Sequence, residues 1–336
     1  MINKENLEQI DISGMHKVYN DWPKIARDTY ESKIQSIDFR DIDHVVFIGM
    51  GGSGAIGDMF STILSKNNIH ISLVKGYLLP KTITKNTLVV ATSVSGNTVE
   101  TLTAFKSAKN FGCKLIGISS GGFIEKYCNE NRIFYKKIEM IHSPRASFIK
   151  FIYSLLAVLS SILPIHQNDI VDSINNLESI QKEISSENLS KSNPSLQLAS
   201  WITGIPLIYY PYGLQSAAIR FKSSLQENSK IHVITEDIIE ACHNGIVAWE
   251  KPSQVQPILI QGKDDYVKTK ERWNIIKEYF SKNSIDFKEV HSINGHILSK
   301  ILVLSYILDY TSIYHAILNK TDPSPTKSID FIKERL

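Results

Sequence analysis

The sequence predicts an α/β protein of two domains, each built on a parallel β-sheet with crossover helices. Its 336 residues, 43% of them hydrophobic, are enough to bury two cores. Short apolar runs alternate with helix-like segments, which is the pattern of parallel strands joined by helices. The alternation stops near residue 165 and starts again near residue 206. We therefore expect one domain over residues 1–165 and a second over residues 166–336.

In the first half, a polar and helical lead-in precedes four apolar runs. These runs are short, are rich in Val, Ile and Leu, and are separated by helix-like segments, as buried parallel strands are. They predict strands at residues 45–50, 70–74, 87–93 and 114–119.

The second half begins with residues 168–193, in which Asn, Ser, Glu and Lys surround an apolar residue at every third or fourth position. This spacing predicts a surface helix followed by a linker. Further apolar runs predict strands at residues 206–210, 231–235, 255–261 and 287–293. A long helix near residues 296–318 and a tail from residue 322 are expected to close the chain.

Composition narrows the possible functions. The 37 Lys and Arg residues against 34 Asp and Glu give a formal net charge of +3, which is too small to predict a nucleic-acid or membrane surface. The three cysteines have no ligand or disulfide spacing, and the first 30 residues have no signal-peptide pattern. The apolar stretches 148–165 and 297–318 contain charged or polar residues and are expected to be core helices. We expect a cytoplasmic protein that needs no metal or other cofactor.

A glycine-rich turn follows the first predicted strand. A strand that leads through such a turn into a helix points backbone N–H groups at an anion. Gly49, Gly51 and Gly54 also fit the GxGxxG pattern of dinucleotide-binding proteins, but residues 59–99 contain no Asp or Glu to bind a ribose. This disfavours a dinucleotide, and a tight turn without any ligand is the structural alternative.

A second loop, of sequence SVSGNT at residues 93–98, follows the third predicted strand. We expect one of its hydroxyl groups to cap the helix that starts near Val99. Three hydroxyl groups and a glycine exceed what capping needs, and together they can hydrogen-bond the oxygens of a phosphate monoester. The pattern GxxxxGK[ST] is absent, so hydrolysis of a nucleoside triphosphate is not predicted.

The two loops together resemble the sugar isomerase (SIS) fold. Four further motifs resemble the archaeal-type bifunctional phosphoglucose/phosphomannose isomerases in order and spacing. They are HSPRASF at residues 142–148, LQENSK at 225–230, ACHN at 241–244 and IDFIKERL at 329–336. The resemblance covers nearly the whole chain and implies two SIS-type three-layer αβα domains with parallel sheets.

The resemblance also implies roles for individual residues. In the first loop, Gly51, Gly52 and Ser53 would contact the substrate. In the second loop, the phosphate would be bound by Ser93, Ser95 and Thr98.

Four other residues would carry the chemistry. Arg145 would lie beside C1 and C2 of the sugar, and Glu227 would be the base. His243 would open the sugar ring, and Lys333 would contact the ring oxygen. In the family the histidine comes from the other subunit, which implies a homodimer with His243 shared across the interface.

The activity implied is the interconversion of glucose 6-phosphate, and of mannose 6-phosphate, with fructose 6-phosphate through a cis-enediolate. This reaction needs one carboxylate to move a proton between adjacent carbons and a permanent positive charge beside the oxyanion. Ring opening suits an imidazole that titrates near neutrality. The two aldoses differ only at C2 and share one enediol, so a single base can serve both.

Each of these residues also has a structural explanation. Glu227 lies at the end of a helix predicted from Gln215, where solvated glutamates are common, and an arginine after a proline often forms a structural salt bridge. Val99 stands where the family pattern predicts an acidic residue. Thr326, chosen by its distance from Lys333, is our only candidate for the residue that controls mannose acceptance.

Two other functions stay open. The first is a different phosphosugar enzyme of the same fold, such as the isomerase half of glucosamine-6-phosphate synthase, which would lack PRASF and the spacing from ENSK to HN. The second is a non-catalytic phosphosugar sensor, but such sensors carry a DNA-binding helix-turn-helix, and no basic recognition helix precedes residue 45. Metal-dependent phosphomannose isomerases need a His/Glu cluster that the sequence does not show.

Overall fold

The computed structural model of the protein describes residues 2–336 and divides into two compact units that are not continuous along the chain. The first unit consists of Asp21–Gln167 and Lys327–Leu336. The second unit consists of the N-terminal segment up to Asn20 together with Asn168–Thr326. The predicted boundary after residue 165 is close to the break after Gln167, but the predicted domain limits missed this exchange of terminal segments.

The exchange has a physical cause in the second unit. Its N-terminal segment forms helices α1 (Lys4–Ile10) and α2 (Met15–Asn20). The hydroxyl of Tyr306 donates to the carbonyl oxygen of Tyr19 at 2.6 Å, and the hydroxyl of Tyr310 donates to that of His16 at 3.1 Å. The N-terminal segment is therefore held by the last long helix of the unit.

The first unit is built on a five-stranded parallel sheet with the order β2-β1-β3-β4-β5. Its strands are β1 His44–Ile48, β2 His70–Val74, β3 Thr87–Ser93, β4 Lys114–Ser119 and β5 Phe134–Lys137. Its helices are α3 Trp22–Glu31, α4 Gly51–Ile63, α5 Val99–Ala108, α6 Gly122–Asn131, α7 Phe148–Val158 and α14 Lys327–Lys333. A short 3₁₀ turn, Lys109–Phe111, follows α5.

Most strands of this sheet were predicted. The limits of β2, β3 and β4 agree with the prediction, and β1 begins and ends slightly earlier. The prediction missed β5, because this four-residue edge strand is only partly buried and contains two lysines. Strand β3, in contrast, is buried at every position, as its continuous apolar run predicts.

The second unit has a four-stranded parallel sheet with the order β7-β6-β8-β9. Its strands are β6 Ile205–Tyr210, β7 Ile234–Asp237, β8 Val255–Gln261 and β9 Lys288–His291. Besides α1 and α2, its helices are α8 Gln167–Ile184, α9 Pro194–Trp201, α10 Gln215–Ser224, α11 Ile238–Ala241, α12 Val267–Lys282 and α13 Ile297–Leu318. The predicted two-domain α/β class with parallel sheets is confirmed.

Helix α13 is the centre of the second unit. It is long and apolar enough to cross a membrane, but 94% of its most apolar window is buried inside the protein. It packs against α9, α10, α1 and α2. The interpretation of this stretch as a core helix therefore agrees with its burial.

The core of the first unit contains a thiol. Cys128 on α6 is fully buried and belongs to a cluster that includes Val46, Val89 and Phe105. Burial raises the pKa of this thiol to about 12. The pKa values of Cys113 and Cys242 are also raised by burial, but these two side chains are only partly covered.

We predict that Cys128 does not react with a thiol reagent in the folded protein. With a pKa of about 12, about one thiol in ten thousand is ionised at pH 8. A C113S/C242S variant should therefore release no colour from Ellman's reagent under native conditions and one equivalent in guanidinium chloride. The C128S variant is the control, and its two remaining thiols should react without denaturant. Rapid reaction of native C113S/C242S would contradict the buried position.

Candidate active site

In the sheet of the first unit, the order in which strands are added reverses between β1 and β3. From β1 the chain moves outward to β2, and it then returns to place β3 on the other side of β1. In open parallel sheets, ligands bind at the carboxyl ends of the strands at such a reversal. Both loops singled out in the sequence lie there, because one follows β1 and the other follows β3.

The loop after β1 leads directly into α4. Met50 is the N-cap of α4, and it makes no side-chain cap hydrogen bond with any described residue. Gly51 is exposed with a φ of +52°, and no described atom lies within 4 Å of the position that a Cβ would take. The start of α4 therefore offers backbone N–H groups beside open space.

The loop after β3 is organised by its own hydroxyl groups. The Oγ of Ser93 accepts from the N–H of Gly96 at 3.1 Å and lies 2.9 Å from the Oγ1 of Thr98. The Oγ of Ser95 accepts from the N–H of Asn97 at 3.3 Å. Ser93 is buried, whereas Ser95 is exposed and Thr98 is half-buried. Ser95 and Thr98 are thus the hydroxyl groups of this loop that a ligand can reach, with Ser93 bracing Thr98 from inside.

We expected one hydroxyl group of this loop to cap α5, but the side chain of the N-cap residue does not do so within the part of the chain that the structure describes. Thr98 is the N-cap residue, but within residues 2–336 its side chain makes no cap hydrogen bond and instead meets Ser93. Like α4, α5 therefore starts without the side-chain oxygen that usually binds its first N–H groups.

A hydrogen bond joins the two loops. The N–H of Val94 donates to the Oγ of Ser53 at 3.2 Å, and Ser53 is itself buried on α4. The two helix starts are thus held side by side, and their dipoles point positive ends toward the same place.

The loop between β4 and α6, together with the first turn of α6, packs against the second loop, and the sequence analysis missed this contact. The N–H of Ile124 donates to the carbonyl oxygen of Gly96 at 3.0 Å, and the N–H of Phe123 donates to the Oδ1 of Asn97 at 3.0 Å. Gly96 has a φ of +72°, and a Cβ there would lie 1.8 Å from the carbonyl oxygen of Gly121. The SGG sequence at residues 120–122 was the available signal.

Arg145 lies beside the first loop. Its backbone N and Cα are 3.5 Å from the position that a Cβ on Gly52 would take, which is ordinary van der Waals contact. The segment is closed by Ser147, whose Oγ accepts from the N–H of Ile141 at 2.8 Å. Arg145 is 5% exposed and belongs to the same unit as both loops. The structure therefore brings together the predicted residues of the two loops and Arg145.

The positive charge of Lys75 near the first loop was not predicted. Lys75 follows β2 directly, and its Nζ lies 2.6 Å from the Oδ1 of Asp58 on α4. Its Cε is 3.4 Å from the position that a Cβ on Gly54 would take. Burial raises the pKa of Asp58, and the nearby ammonium group opposes that rise. This ion pair therefore holds the lysine at the carboxyl end of β2, the strand next to β1.

Glu227 lies in the second unit, within an unusual turn. Helix α10 begins at Gln215, as predicted, and continues beyond Ser224 as a π-helical turn, Leu225–Ser229. Lys230 ends the turn in the left-handed conformation, with a φ of +60°. Single π-helical turns are rare and are frequently found at functional sites. The side chain of Glu227 is half-buried in this turn.

His243 also lies in the second unit, just after α11. It is exposed, and its N–H donates to the carbonyl oxygen of Glu240 at 2.9 Å. The amide of Asn244 donates to the Oε1 of Glu240 at 3.0 Å, which fixes the backbone on the other side of His243. Its backbone is thus tied down while its ring stays accessible.

Lys333 is the last residue of α14 and is exposed. It belongs to the first unit, with the two loops and Arg145, and not to the predicted C-terminal domain. The sequence did not indicate that α14 belongs to the first unit, because its apolar residues could pack on either unit.

The second unit has the same reversal of strand order, between β6 and β8. There the loop after β8 uses its N–H groups internally. The carboxylate of Asp265 accepts from the N–H of Gly262 and from the indole of Trp273, both at 3.0 Å, and the N–H of Lys263 donates to Ser292 at 3.2 Å. A phosphate at this loop would meet a carboxylate, so the first unit offers the better anion site.

Among residues 2–336, no group of three or more His, Cys, Asp or Glu side chains is arranged to hold a metal ion.

Comparison with known proteins assigns the family. Residues 38–163 match the SIS domain family, and residues 191–336 match the family described as bacterial phospho-glucose isomerase C-terminal SIS domain. A bifunctional phosphoglucose/phosphomannose isomerase from Caldicellulosiruptor bescii is 31% identical, over 95% of this chain and 97% of that protein. The chain belongs to the bifunctional phosphoglucose/phosphomannose isomerase family.

Other relatives agree with this membership in the SIS isomerases. The protein of the same name from Aquifex aeolicus is 28% identical, over 97% of each chain. The fold is shared more widely: a hypothetical protein from Thermus thermophilus superposes with a TM-score of 0.76 over 98% of this chain and 92% of that chain, at 12% identity. The two SIS-type domains predicted from the motifs are therefore confirmed.

We predict that G96A destabilises the protein far more than G112A. Both glycines have a positive φ, so alanine costs about 1 kcal/mol of backbone strain at either position. Only at Gly96 does the new Cβ also collide with a backbone carbonyl, whereas no described atom lies within 4 Å at Gly112. Thermal or urea unfolding followed by circular dichroism should show G96A to be at least about 2 kcal/mol less stable than G112A. Equal losses for the two variants would mean that the β4–α6 loop does not brace this turn.

Proposed function

We propose that the protein is an aldose–ketose isomerase that interconverts glucose 6-phosphate and mannose 6-phosphate with fructose 6-phosphate. One observation carries the proposal. Two helix starts without side-chain caps among the described residues meet at the strand-order reversal, in a chain that matches a named bifunctional isomerase over 95% of its length. A phosphate monoester is the kind of anion that such a pair of helix starts binds.

The phosphate is proposed to bind at the second loop. Ser95 and Thr98 present hydroxyl groups at the start of α5, and Ser93 holds Thr98 in place through their 2.9 Å contact. Gly51 supplies open space for the sugar beside α4. This arrangement needs no lysine in the loop, because N–H groups and the helix dipole provide the positive potential.

Proton transfer between C1 and C2 is proposed to use Glu227. One carboxylate can remove a proton from one carbon and return it to the next, provided that it stays on one face of the enediolate. The guanidinium of Arg145 would stabilise the negative charge that develops on the oxygens. Support for these roles comes from the motifs ENSK and PRASF and from the π-helical turn at Glu227.

Ring opening is proposed to use His243, with Lys333 near the ring oxygen. His243 is exposed in the single chain, which suits a residue donated to a partner subunit. We therefore propose a homodimer in which His243 is shared across the interface. We further propose a cytoplasmic enzyme of glycolysis and gluconeogenesis that works without a metal, with a phosphosugar as substrate and without nucleic-acid or membrane partners.

We predict that E227Q strongly lowers the rate of isomerisation of both sugars. Removing a general base lowers the rate by about 100-fold to 10,000-fold. The assay couples fructose 6-phosphate formation to an indicator enzyme, starting from glucose 6-phosphate or from mannose 6-phosphate, with EDTA present. The matched control is E183Q, the same substitution at an exposed glutamate of α8, which should retain full activity.

The outcomes of this assay separate the alternatives. No wild-type activity on either sugar, despite binding of a sugar phosphate, would favour a phosphosugar sensor. Activity on glucose 6-phosphate alone would remove the mannose part of the proposal and direct attention to Thr326. Full activity of E227Q would leave the isomerase but assign the base to another residue.

We predict that mixing two inactive variants restores activity if His243 crosses the interface. In a mixed dimer of E227Q and H243A, one site would receive both damaged residues and the other would receive both intact ones. Random exchange of subunits should therefore restore about a quarter of the wild-type activity. The measurement is the glucose 6-phosphate assay after the two variants are denatured and refolded together, with each variant refolded alone as control. If both residues of a site came from one chain, the mixture would stay inactive.

A further inference from the structure

The turn that carries Glu227 is held to helix α13 on both sides of Glu227. After it, the side-chain amide of Asn228 donates to the Oγ of Ser312 at 2.8 Å, and the Oγ of Ser229 donates to the carbonyl oxygen of Ser312 at 2.8 Å. Asn228, Ser229 and Ser312 are all buried. One residue of α13 thus receives two hydrogen bonds from the turn.

Before Glu227, the same face of α13 holds the end of α10. The carboxylate of Asp309 is fully buried and accepts from the Oγ of Ser224 at 2.7 Å and from the Nε of Arg220 at 3.0 Å. It also accepts from the hydroxyl of Tyr19 at 3.1 Å. A single turn of α13, from Asp309 to Ser312, therefore forms hydrogen bonds to the chain both before and after Glu227.

Ser312 is well suited to this task. Its Oγ donates its own proton to the carbonyl oxygen of Asp309 at 2.6 Å, which leaves the lone pairs of that oxygen to accept from Asn228. Without the hydroxyl, the amide of Asn228 would lose this hydrogen bond at a buried position, and such a loss is unfavourable. We expect the π-helical turn to shift as a result, and Glu227 is the residue immediately before Asn228.

We propose that Ser312 is a positioning residue that fixes the carboxylate of Glu227 through Asn228. The proposal rests on the proposed function, in which Glu227 is the base. A base displaced by about 1 Å can lose about 100-fold in rate, because proton transfer needs close contact with the carbon acid. Ser312 acts on the catalytic step without touching the substrate.

The test is S312A, assayed on glucose 6-phosphate beside S305A. Both substitutions remove a buried hydroxyl from α13, but the hydroxyl of Ser305 has no hydrogen-bond partner among the described residues. We expect S312A to lower kcat by about 10-fold to 100-fold with KM within about threefold of wild type, and S305A to leave both unchanged. S229A removes the second bond to Ser312, and it should lower kcat in the same way but less. If S312A does not fold, the kcat of S229A tests whether the hydrogen bonds to α13 position Glu227.

The same substitution is then made in E227Q, where residual activity is measured at high enzyme concentration. If Ser312 acts through Glu227, S312A should have no further effect once that carboxylate is gone. An equal loss in both backgrounds, or a kcat for S312A and S229A within about twofold of wild type, would overturn the proposal.

Failure of the two proposals can be told apart. An inactive wild type would refute the isomerase, and the positioning role with it. An active wild type with an inactive E227Q and a fully active S312A would refute the positioning role alone.

Discussion

The reversal of strand order between β1 and β3 is the constraint on which the candidate site depends. It places the ends of two buried strands side by side, and each strand leads within a few residues into a helix. Neither helix start has a side-chain cap at its N-cap within residues 2–336, and the bond from Val94 to Ser53 fixes their spacing. The positive potential at the N-termini of α4 and α5, which a capping side chain would normally reduce, is therefore available to a bound anion. The backbone of Arg145 lies beside the first loop, in the same unit.

Comparison of the two units shows that topology alone does not make the site. In both sheets the strand order reverses, between β1 and β3 in the first unit and between β6 and β8 in the second. In the second unit, however, Asp265 and Ser292 accept hydrogen bonds from the N–H groups of the loop after β8. Glu227, which we propose as the base, lies elsewhere in this unit, in a turn that is hydrogen-bonded to α13. The two units thus share one architecture but differ in how the loops at the strand-order reversal use their N–H groups.

Much of the fold could be predicted from the sequence, because buried parallel strands are continuous apolar runs. The limits of β2, β3, β4 and β8 followed from such runs, whereas β5 and β7 are short and partly exposed and were missed or misplaced. The site could be predicted only in part. Local motifs revealed the loops, but the bracing by the SGG turn and the Asp58–Lys75 pair depend on contacts between distant segments, for which the sequence has no periodic signal.

The exchange of terminal segments has a consequence for how the chain matures during synthesis. The ribosome delivers residues in order, so the segment up to Asn20 must wait for α13, nearly three hundred residues later, before it finds its place. The sheet of the first unit can assemble early, but the segment Lys327–Leu336, which includes Lys333, emerges only after the whole of the second unit. Closing such long loops slows folding and keeps apolar surface exposed meanwhile. Until both segments have docked, each unit lacks one of its chain segments, so both units are completed only after Lys327–Leu336 has been synthesised.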